Sequence, residues 1–388
     1  MFGFNNSTFL GIDFGTSSIK AVELRTEGEK VFLSNYAEIN LTTIEKGADD
    51  SQGSYDARVT TYLRALLDRL QPKAKEVYVA MPAFIGLVAL AEFPKMSEKE
   101  LQEAIQFEAH KYIPSPLDEV ALSWEIVGET SASGVSVKDL SGGKVEVLLV
   151  AALNKEVERY ESYIQSVGFN MQLLELETFS MVRSVIDGDQ GVYLVADIGS
   201  RATNLVLVEN GLVKISRNLD VGGRDITRTL MDGLNIAEDR AEVLKKSDKD
   251  YLNDPGTKLI FPALEEISSE MERIIAMYRS KHPGRPIDGI ILSGGTAGLV
   301  GLTAYFGGLL NLPVSVGDPW ERVMYSAEVS PSIKRMGTSF SVALGLALQG
   351  ANRLARKKAA PKITTPISGN RWDRFRTRLM QPIGNSED

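Results

Sequence analysis

The sequence has 388 residues, with 43 Lys and Arg against 51 Asp and Glu for a formal net charge of −8, and it contains no cysteine and two histidines. Its length predicts about two or three domains, each with its own hydrophobic core. The absence of cysteine excludes disulfides, thiolate zinc sites, iron–sulfur clusters and a cysteine nucleophile, and two histidines leave little for a histidine-ligated metal or a Ser/His/Asp triad.

The beginning of the chain lacks the marks of a targeting segment. Met1 to Leu10 has no basic stretch followed by the apolar run of about 7 to 15 residues that a secretory signal needs. Nor does any later stretch reach the length of about 18 apolar residues that a membrane span requires. Because a chain without disulfides also suits a reducing compartment, we expect a cytoplasmic protein.

The first predicted element is a β-hairpin at residues 9–24. An apolar run leads into a small polar turn, and a second run rich in β-branched residues follows. The polar and glycine residues of this turn region are Asp13, Gly15, Thr16, Ser17, Ser18 and Lys20. Turn amides, hydroxyls and an ammonium group can bind an anion, although an ordinary hairpin turn is the alternative. The region is not a Walker A motif, since no Gly-Lys-Ser/Thr opens a helix.

A helix and a strand follow, and then a segment that we predict to be an inserted α+β module at residues 82–169. Ser97 and Glu100 form a capping box that opens one helix, and Asn154 is the predicted cap of a second. The strand-like runs between these helices are residues 119–127 and 144–152. The module is therefore predicted to have two strands and two helices.

A second hairpin, at residues 193–208, repeats the pattern of the first, with Asp197 and Gly199 in the places of Asp13 and Gly15. The two aspartates are 184 residues apart, too far for a solenoid repeat, which predicts a duplicated domain. Two carboxylates facing each other across a phosphate chain could hold hydrated Mg²⁺, and turn capping is the alternative role for each.

The third pattern is a strand at residues 290–293 that runs into Gly294, Gly295 and Thr296, with a helix predicted directly after the turn. Glycines let a backbone approach a nucleoside closely, and a helix N-terminus favours phosphate. A mostly helical subdomain precedes it at about residues 225–285, and Pro262 suits the first position of its longest helix.

These three patterns, in this order, resemble the phosphate-1, phosphate-2 and adenosine motifs of the actin-like ATPase superfamily. The resemblance implies an α/β fold of duplicated, ribonuclease H-like lobes with ATP and Mg²⁺ between them. It implies a catalytic set of Asp13 and Asp197, both also Mg²⁺ ligands through water, with Glu177, although Glu175 is an alternative to Glu177. The implied nucleotide contacts are Gly15, Thr16, Ser17, Ser18, Lys20, Gly199, Gly222, Gly223, Glu242, Lys245, Gly294, Gly295 and Thr296.

The sequence of the predicted module resembles one particular family within this superfamily. Phe93-Pro94-Lys95-Met96-Ser97 and the segment at residues 107–120, which includes Tyr112-Ile113-Pro114, resemble the signature of the PilM family of type IV pilus assembly proteins. This implies a scaffold that binds the cytoplasmic N-terminal peptide of a PilN-like inner-membrane protein and links it to assembly motors, with slow or no ATP hydrolysis. The residues considered for peptide contact are Phe93, Phe107, Tyr112 and Ile113, and membership in the module's own core is their alternative role.

Two other functions remain as alternatives. The chain also resembles FtsA, which implies a membrane-tethered protein that self-associates into filaments. A small-molecule kinase on the same fold would need a substrate pocket that the sequence does not identify.

The predicted organisation is lobe I at residues 1–81 and 170–190, the module at 82–169, lobe II at 191–352 and a basic tail at 353–388.

Charge separates the tail from the body. Residues 353–388 hold nine basic and three acidic residues, a net +6, so residues 1–352 carry −14. The acidic body disfavours nucleic-acid binding. In the tail, Trp372, Phe375 and Leu379 would share one face of a short helix, a pattern typical of an anchor on an anionic membrane surface, and a flexible basic terminus is the alternative.

Overall fold

The computed structural model describes residues 7–41, 52–130, 143–186 and 188–359. The predicted membrane-contacting residues Trp372, Phe375 and Leu379 lie outside the described residues. The strands run in chain order as β1 Ser7–Phe14, β2 Ser18–Glu27, β3 Lys30–Asn40, β4 Glu76–Met81, β5 Gly86–Pro94, β6 Val120–Thr130, β7 Lys144–Leu153, β8 Asn170–Leu176, β9 Val192–Ile198, β10 Thr203–Glu209, β11 Leu212–Leu219, β12 Gly289–Ser293 and β13 Val314–Val316.

The helices run as α1 Gln52–Leu70, α2 Glu98–Glu108, α3 Asn154–Ser166, α4 Glu177–Val185, α5 Gly223–Leu234, α6 Glu238–Lys245, α7 Pro262–Lys281, α8 Leu302–Leu310, α9 Ser330–Met336 and α10 Ser341–Ala359. Short 3₁₀ turns supplement them, including one at Ala83–Ile85. Pro262 is at the start of α7, where its missing N–H and fixed φ suit a helix, as predicted.

Two of the sheets have the same architecture, which confirms the predicted duplication. Lobe I has the strand order β3-β2-β1-β4-β8 and lobe II has β11-β10-β9-β12-β13. In each, a hairpin pairs antiparallel with a third strand and parallel with a fourth, so β1 with β4 corresponds to β9 with β12. This shared order places the ends of β1 and β9, and with them Asp13 and Asp197, at equivalent positions of the two lobes.

The predicted module, called the insert here, forms a third sheet with the order β5-β7-β6. The capping box is present, with the Ser97 hydroxyl accepting from the Glu100 amide. Helix α2 covers one face of the sheet and packs Leu101 and Ile105 against Phe93. Helix α3 lies at the junction with lobe I, where Tyr160 makes an edge-to-face contact with Phe14.

Two local predictions for the insert were wrong. It has a third strand, β5, which pairs with β7 along its whole length. Leu and Ala dominate β5 and have modest intrinsic preference for strands, so the pairing rather than the local sequence determines its structure. Asn154 is also not a cap. It is the first residue of α3, after the N-cap Leu153, and its side-chain amide donates to the Asp118 carbonyl at 2.9 Å.

Helices α4 and α10 connect the lobes and pack very closely. A side chain at Gly345 of α10 would lie 1.9 Å from the Ser180 carbonyl of α4, and one at Gly11 of β1 would lie 2.1 Å from the Ala343 carbonyl of α10. Glycine is therefore required at these two positions, where α10 approaches α4 and β1. The small, apolar sequence at 337–348 forms a 3₁₀ turn followed by the first part of α10.

Candidate nucleotide-binding cleft

The first hairpin holds a buried carboxylate beside a lysine. Asp13, at the end of β1, is 6% exposed and lies opposite Lys20 of β2 in the strand register. Burial raises the pKa of Asp13 to about 6, and the positive charge of Lys20 opposes that shift. The turn itself is tight, since a side chain at Gly15 would lie 3.0 Å from the Ser18 carbonyl. Thr16 and Ser17 are half-buried, and Ser18 is buried.

The second hairpin is tied to the start of helix α5. The Gly199 carbonyl accepts from the Gly223 amide at 2.8 Å, and the Ser200 carbonyl accepts from the Arg224 amide at 2.9 Å. A side chain at Gly222 would lie 2.9 Å from the Gly199 oxygen. Two glycines therefore let the first turn of α5 lie directly against the hairpin turn, next to Asp197 at the end of β9.

Glu177 joins the two aspartates, whereas Glu175 does not. Burial, followed by the charges of Asp197 and Asp13, raises the pKa of Glu177 to about 8, and its Oε1 accepts from the Ala83 amide at 2.9 Å. Glu175 is fully buried in a bidentate pair with Arg183, at 2.8 and 3.0 Å. Of the two glutamates considered from the sequence, only Glu177 is near the aspartates.

A polar network on the lobe II side lies where a nucleoside is expected. The Lys245 ammonium donates to the Gly223 carbonyl at 3.0 Å, the Thr227 hydroxyl at 2.8 Å and Glu242 Oε1 at 2.7 Å. Thr296 also lies here, since a side chain at Gly223 would be 2.6 Å from its hydroxyl. Helix α6 thus brings Glu242 and Lys245, one turn apart, to the start of α5.

The glycine turn after β12 forms a further side of the cleft. Gly294 has φ of +84°, and a side chain there would lie 2.6 Å from the Ile198 carbonyl and 2.8 Å from Asp197 Oδ1, so only glycine fits. A side chain at Gly295 would meet nothing within 4 Å, so this residue faces open space. The expected helix does not follow directly, because α8 begins at Leu302, and its N-terminus is therefore not part of this turn.

Sequence reasoning missed Ser293, the last residue of β12. It is fully buried, pairs with Asp197 in the strand register and hydrogen-bonds to that carboxylate. Burial and the charge of Asp13 raise the pKa of Asp197 to about 6, and the Ser293 hydroxyl opposes this shift. Ser293 Oγ also lies 3.1 Å from Ser341 Oγ of α10. The sequence could have identified Ser293 as a site residue from its position directly before Gly294.

The donor set of the cleft fits a phosphate chain with hydrated Mg²⁺. Asp13 and Asp197 offer carboxylate oxygens from opposite lobes, Lys20 offers a positive charge, and the hairpin turns offer backbone amides. Among the described residues, no group of three or more His, Asp or Glu side chains could hold a metal ion directly.

The residues considered for peptide contact are in different environments. Phe93 and Ile113 are each 4% exposed and belong to the insert's core, and Tyr112 packs partly buried against the same clusters. Phe107 is 73% exposed and makes an edge-to-face contact with the His110 ring, 6.0 Å away. Of these four residues, only Phe107 therefore has most of its side chain exposed.

An open groove between α1 and α3, where lobe I meets the insert, was not predicted. Its volume is about 740 Å³, and its lining mixes both charges with hydroxyl groups. It is lined by Asp56, Ala57, Thr60, Lys155, Glu156, Arg159, Ser162 and Tyr163. Tyr163 donates to Asp56, and Arg159 pairs with Glu156 at 2.5 Å, so the helices present preformed polar groups.

The duplicated sheets, the cleft and the insert define an actin-like ATPase fold. A family described as type IV pilus assembly protein PilM matches residues 11–351. This match spans most of the sequence, and the chain belongs to the PilM family. Among the described residues, no helix is both long and apolar enough to cross a bilayer.

One solved structure agrees with this assignment, and a second shares the fold. A PilM–PilN type IV pilus biogenesis complex superposes with a TM-score of 0.72 and 26% identity, covering 88% of this chain and 98% of that one. The ethanolamine utilization protein EutJ from Carboxydothermus hydrogenoformans shares the fold, with a TM-score of 0.50, 16% identity and coverage of 88% and 89%.

The cell division protein FtsA is a more distant relative. The FtsA of Bacillus subtilis is 20% identical over 81% of this chain and 79% of its own length. The FtsA of Neisseria meningitidis serogroup B is 23% identical over 65% of this chain, and the match spans 66% of its own length.

Proposed function

We propose that this protein is an ATP-binding scaffold of a type IV pilus assembly machine, which acts in the cytoplasm and is held at the inner membrane by a PilN-like partner. The main observation in favour of ATP binding is that Asp13 and Asp197, one from each lobe, lie close together beside glycine turns and Lys20. Family membership and the similarity to a PilM–PilN complex support the pilus part.

Each group of the cleft has a chemical role in this proposal. Asp13 and Asp197 would hold Mg²⁺ through its water ligands, and the ion would supply neutralisation of phosphate charge. Lys20 provides a point charge at the phosphates. Glu242 and Lys245 bind the nucleoside, and Gly294 and Gly295 let it approach the backbone. Because these groups belong to both lobes, ATP favours the state in which the lobes are close together.

Hydrolysis is proposed to be slow. A general base must be ionised at the working pH and must hold a water molecule. The pKa of Glu177 is raised to about 8, so its carboxyl is mostly protonated at neutral pH in the nucleotide-free protein. One of its oxygens is also engaged by the Ala83 amide. These properties favour a role in nucleotide-dependent binding over rapid turnover.

The groove between α1 and α3 is our candidate site for the partner peptide. It is open, lies where lobe I meets the insert, and offers charged groups of both signs together with hydroxyls. An extended peptide can be bound by such a groove through hydrogen bonds to side chains and main chain. Phe107, on the exposed face of α2, is a second candidate contact. Links to the assembly motors are proposed from family membership alone.

Calorimetric titration with Mg-ATP tests the nucleotide site. We expect Asp13→Ala to weaken binding about 10- to 100-fold, because a contact to a charged group is worth about 1.5–3 kcal/mol. Asp232→Ala is the matched control, since Asp232 is exposed on α5. Identical affinity in wild-type protein and Asp13→Ala, or no binding by wild type, would refute the site.

A second titration tests the groove with a synthetic cytoplasmic N-terminal peptide of the PilN protein from the same organism. Ser162 lines the groove and is exposed, so Ser162→Trp fills it without disturbing the core. We expect at least a tenfold loss of peptide affinity. Ser280→Trp on the exposed face of α7 is the control, and equal losses in both variants would exclude the groove.

Filament formation of the FtsA type is the second candidate function, and the sequence similarity to FtsA supports a relationship in fold. Sedimentation separates the two. A filament former pellets in the presence of Mg-ATP in proportion to protein concentration above a threshold, whereas a scaffold stays in the supernatant and binds the PilN peptide.

A further inference from the structure

Each hairpin of the candidate cleft has one positively charged residue in its turn region. Residues 13–20 contain Lys20, and residues 197–203 contain Arg201. Lys20 lies on β2, opposite Asp13 in the strand register, whereas Arg201 lies in the turn between β9 and β10. The Arg201 side chain is 56% exposed. The lobe II cation is therefore not paired with its central aspartate in the register and has a long side chain that starts from a turn.

The main chain at Arg201 is fixed by its neighbours. The Gly199 amide donates to the Ala202 carbonyl at 3.0 Å, and the Gly199 carbonyl accepts from the Gly223 amide of α5 at 2.8 Å. A side chain at Gly222 would lie 2.9 Å from the carbonyl carbon of Arg201. The turn is thus tightly packed against the start of α5, while the Arg201 side chain that it carries is largely exposed.

The Arg201 guanidinium lies across the opening of the cleft from its own main chain. It is 5.7 Å from the centroid of the Phe84 ring, and Phe84 is 43% exposed. Phe84 follows Ala83, whose amide donates at 2.9 Å to Glu177, the buried carboxyl beside the two central aspartates. A side chain that begins in lobe II therefore ends on the side of the cleft that lobe I and the insert form.

A second contact of the guanidinium is an exposed ion pair. Arg201 Nε lies 3.2 Å from Asp220 Oδ1, and the Asp220 side chain is 78% exposed. Exposed ion pairs and exposed cation–π contacts each contribute little to stability in water. A phosphate group accepts charge-assisted, bidentate hydrogen bonds from the planar guanidinium, which are stronger. A phosphate at the opening of the cleft would therefore compete successfully for Arg201.

The charge balance of the cleft favours a second cation there. Three carboxyl groups lie together at its centre, and the Lys20 ammonium beside them is shared with Glu38, 3.6 Å away. A nucleoside triphosphate brings more negative charge into this site than a diphosphate does. Because like charges repel strongly where water is excluded, each added phosphate needs a matching positive group. Arg201 can provide that group from the lobe opposite Lys20.

We infer that Arg201 contacts the terminal phosphate of ATP and makes the cleft distinguish a nucleoside triphosphate from a diphosphate. This inference rests on the proposed function and names a residue that sets its nucleotide specificity. With a diphosphate bound, the guanidinium stays over Phe84 and beside Asp220. With a triphosphate bound, it leaves the exposed carboxylate and donates to oxygens of the third phosphate.

Calorimetric titration of the full chain with Mg-ATP and with Mg-ADP tests the inference. Arg201→Ala should weaken Mg-ATP binding about tenfold, the size expected for the loss of a hydrogen bond to a charged group. Binding of Mg-ADP should stay within twofold of wild type. Arg201→Lys keeps the charge and lacks the planar arrangement of donors, so its affinity for Mg-ATP should lie between those of wild type and Arg201→Ala.

Two controls separate a phosphate contact from a structural role of Arg201. Asp220→Asn removes the ion pair and keeps the guanidinium, so the affinities for both nucleotides should stay within twofold of wild type. Arg279→Ala removes an exposed positive charge on α7 and should leave both affinities unchanged.

Equal losses of Mg-ATP and Mg-ADP affinity in Arg201→Ala, or the same loss in Asp220→Asn, would assign Arg201 to the structure of the turn and overturn the inference. An Arg201→Ala variant that binds Mg-ATP like wild type would overturn it too. In these cases wild type still binds Mg-ATP, and the proposed function stands. Failure of wild type to bind either nucleotide would overturn the proposed function and the inference with it.

Discussion

The two lobes repeat one architecture but equip their central aspartates differently. In lobe I, Asp13 lies opposite Lys20 on the hairpin and beside Ala80 on the parallel strand. In lobe II, Asp197 lies opposite Asn204 and beside Ser293. One lobe therefore provides a cation to its carboxylate, and the other provides an amide neighbour and a hydroxyl.

This difference shows how a duplicated fold makes one asymmetric site. Both aspartates have a pKa raised to about 6, chiefly by burial, but Lys20 opposes the shift in lobe I and Ser293 opposes it in lobe II. The lysine favours phosphate, while the Asn204 amide is used internally and donates to the Thr178 hydroxyl at 2.7 Å. We therefore expect phosphate charge to lie closer to lobe I.

The largest expected effect concerns the connecting helix α10, which lies directly against the central strand of lobe I. Gly11 of β1 corresponds to Val195 of β9 in lobe II, and the close approach of α10 is at Gly11. In Gly11→Ala, the new methyl group would lie 2.1 Å from the Ala343 carbonyl, so we expect a loss of about 3 kcal/mol or more of unfolding free energy, at the upper end of overpacking costs. Chemical denaturation followed by circular dichroism measures it.

Gly298→Ala is the control for this substitution. A side chain there would meet nothing within 4 Å, so the change should stay within about 0.5 kcal/mol. If Gly11→Ala were as stable as Gly298→Ala, the close approach of α10 to β1 would not be a constraint on the fold.

Much of the fold could be predicted because local sequence patterns indicate most of its elements. Alternating apolar runs around Asp13 and Asp197 identified both hairpins, and Pro262 marked the start of α7. Strand β5 escaped prediction because its residues favour a strand only when paired with β7. The helix after Gly294 was placed too early, since nothing local distinguishes a turn that continues for several residues from a helix start.

The site was predictable as a set of residue types but not as a geometry. Sequence spacing could not separate Glu175 from Glu177, because the decision depends on Arg183, which pairs with Glu175 from the following helix. Ser293 was missed because its importance comes from register with a strand far away in the sequence.

A smaller expected effect is a pH dependence of stability that comes from Glu177. Its folded pKa is about 8, above its ordinary value of 4.5, so the folded state holds a proton that the unfolded state releases. The stability contribution is therefore complete below pH 4.5 and is lost as pH rises toward and through 8. Asp13 and Asp197 act in the same direction, over the narrower window up to about pH 6.

Glu177→Gln keeps the acceptor for the Ala83 amide and removes the charge. In urea denaturation without nucleotide or Mg²⁺, we expect the variant to gain about 2 kcal/mol on wild type between pH 5 and 6.5, because the raised pKa costs wild type about 1.4 kcal/mol per pH unit in this window. Glu272→Gln, on the exposed face of α7, should follow the wild-type profile. Parallel profiles for Glu177→Gln and wild type would show that folded Glu177 does not keep its proton over this range.

The smallest expected effect tests the hydroxyl that distinguishes lobe II. In lobe I, the residue beside Asp13 on the parallel strand is Ala80. Ser293→Ala therefore gives Asp197 the same neighbour, an alanine, in lobe II. Loss of one hydrogen bond to a carboxylate should weaken Mg-ATP binding about fivefold, or about 1 kcal/mol. Calorimetric titration measures it, with Ser341→Ala as the control, because Ser341 lies 3.1 Å from the Ser293 hydroxyl and does not pair with Asp197 in the strand register.

The effect should be smaller than that of Asp13→Ala, because Ser293→Ala removes one hydrogen bond to a carboxylate and leaves the carboxylate in place, whereas Asp13→Ala removes a carboxylate itself. Equal losses in Ser293→Ala and Ser341→Ala would assign the effect to the packing of α10 instead. A loss in Ser293→Ala as large as in Asp13→Ala would mean that lobe II, rather than lobe I, bears most of the phosphate charge.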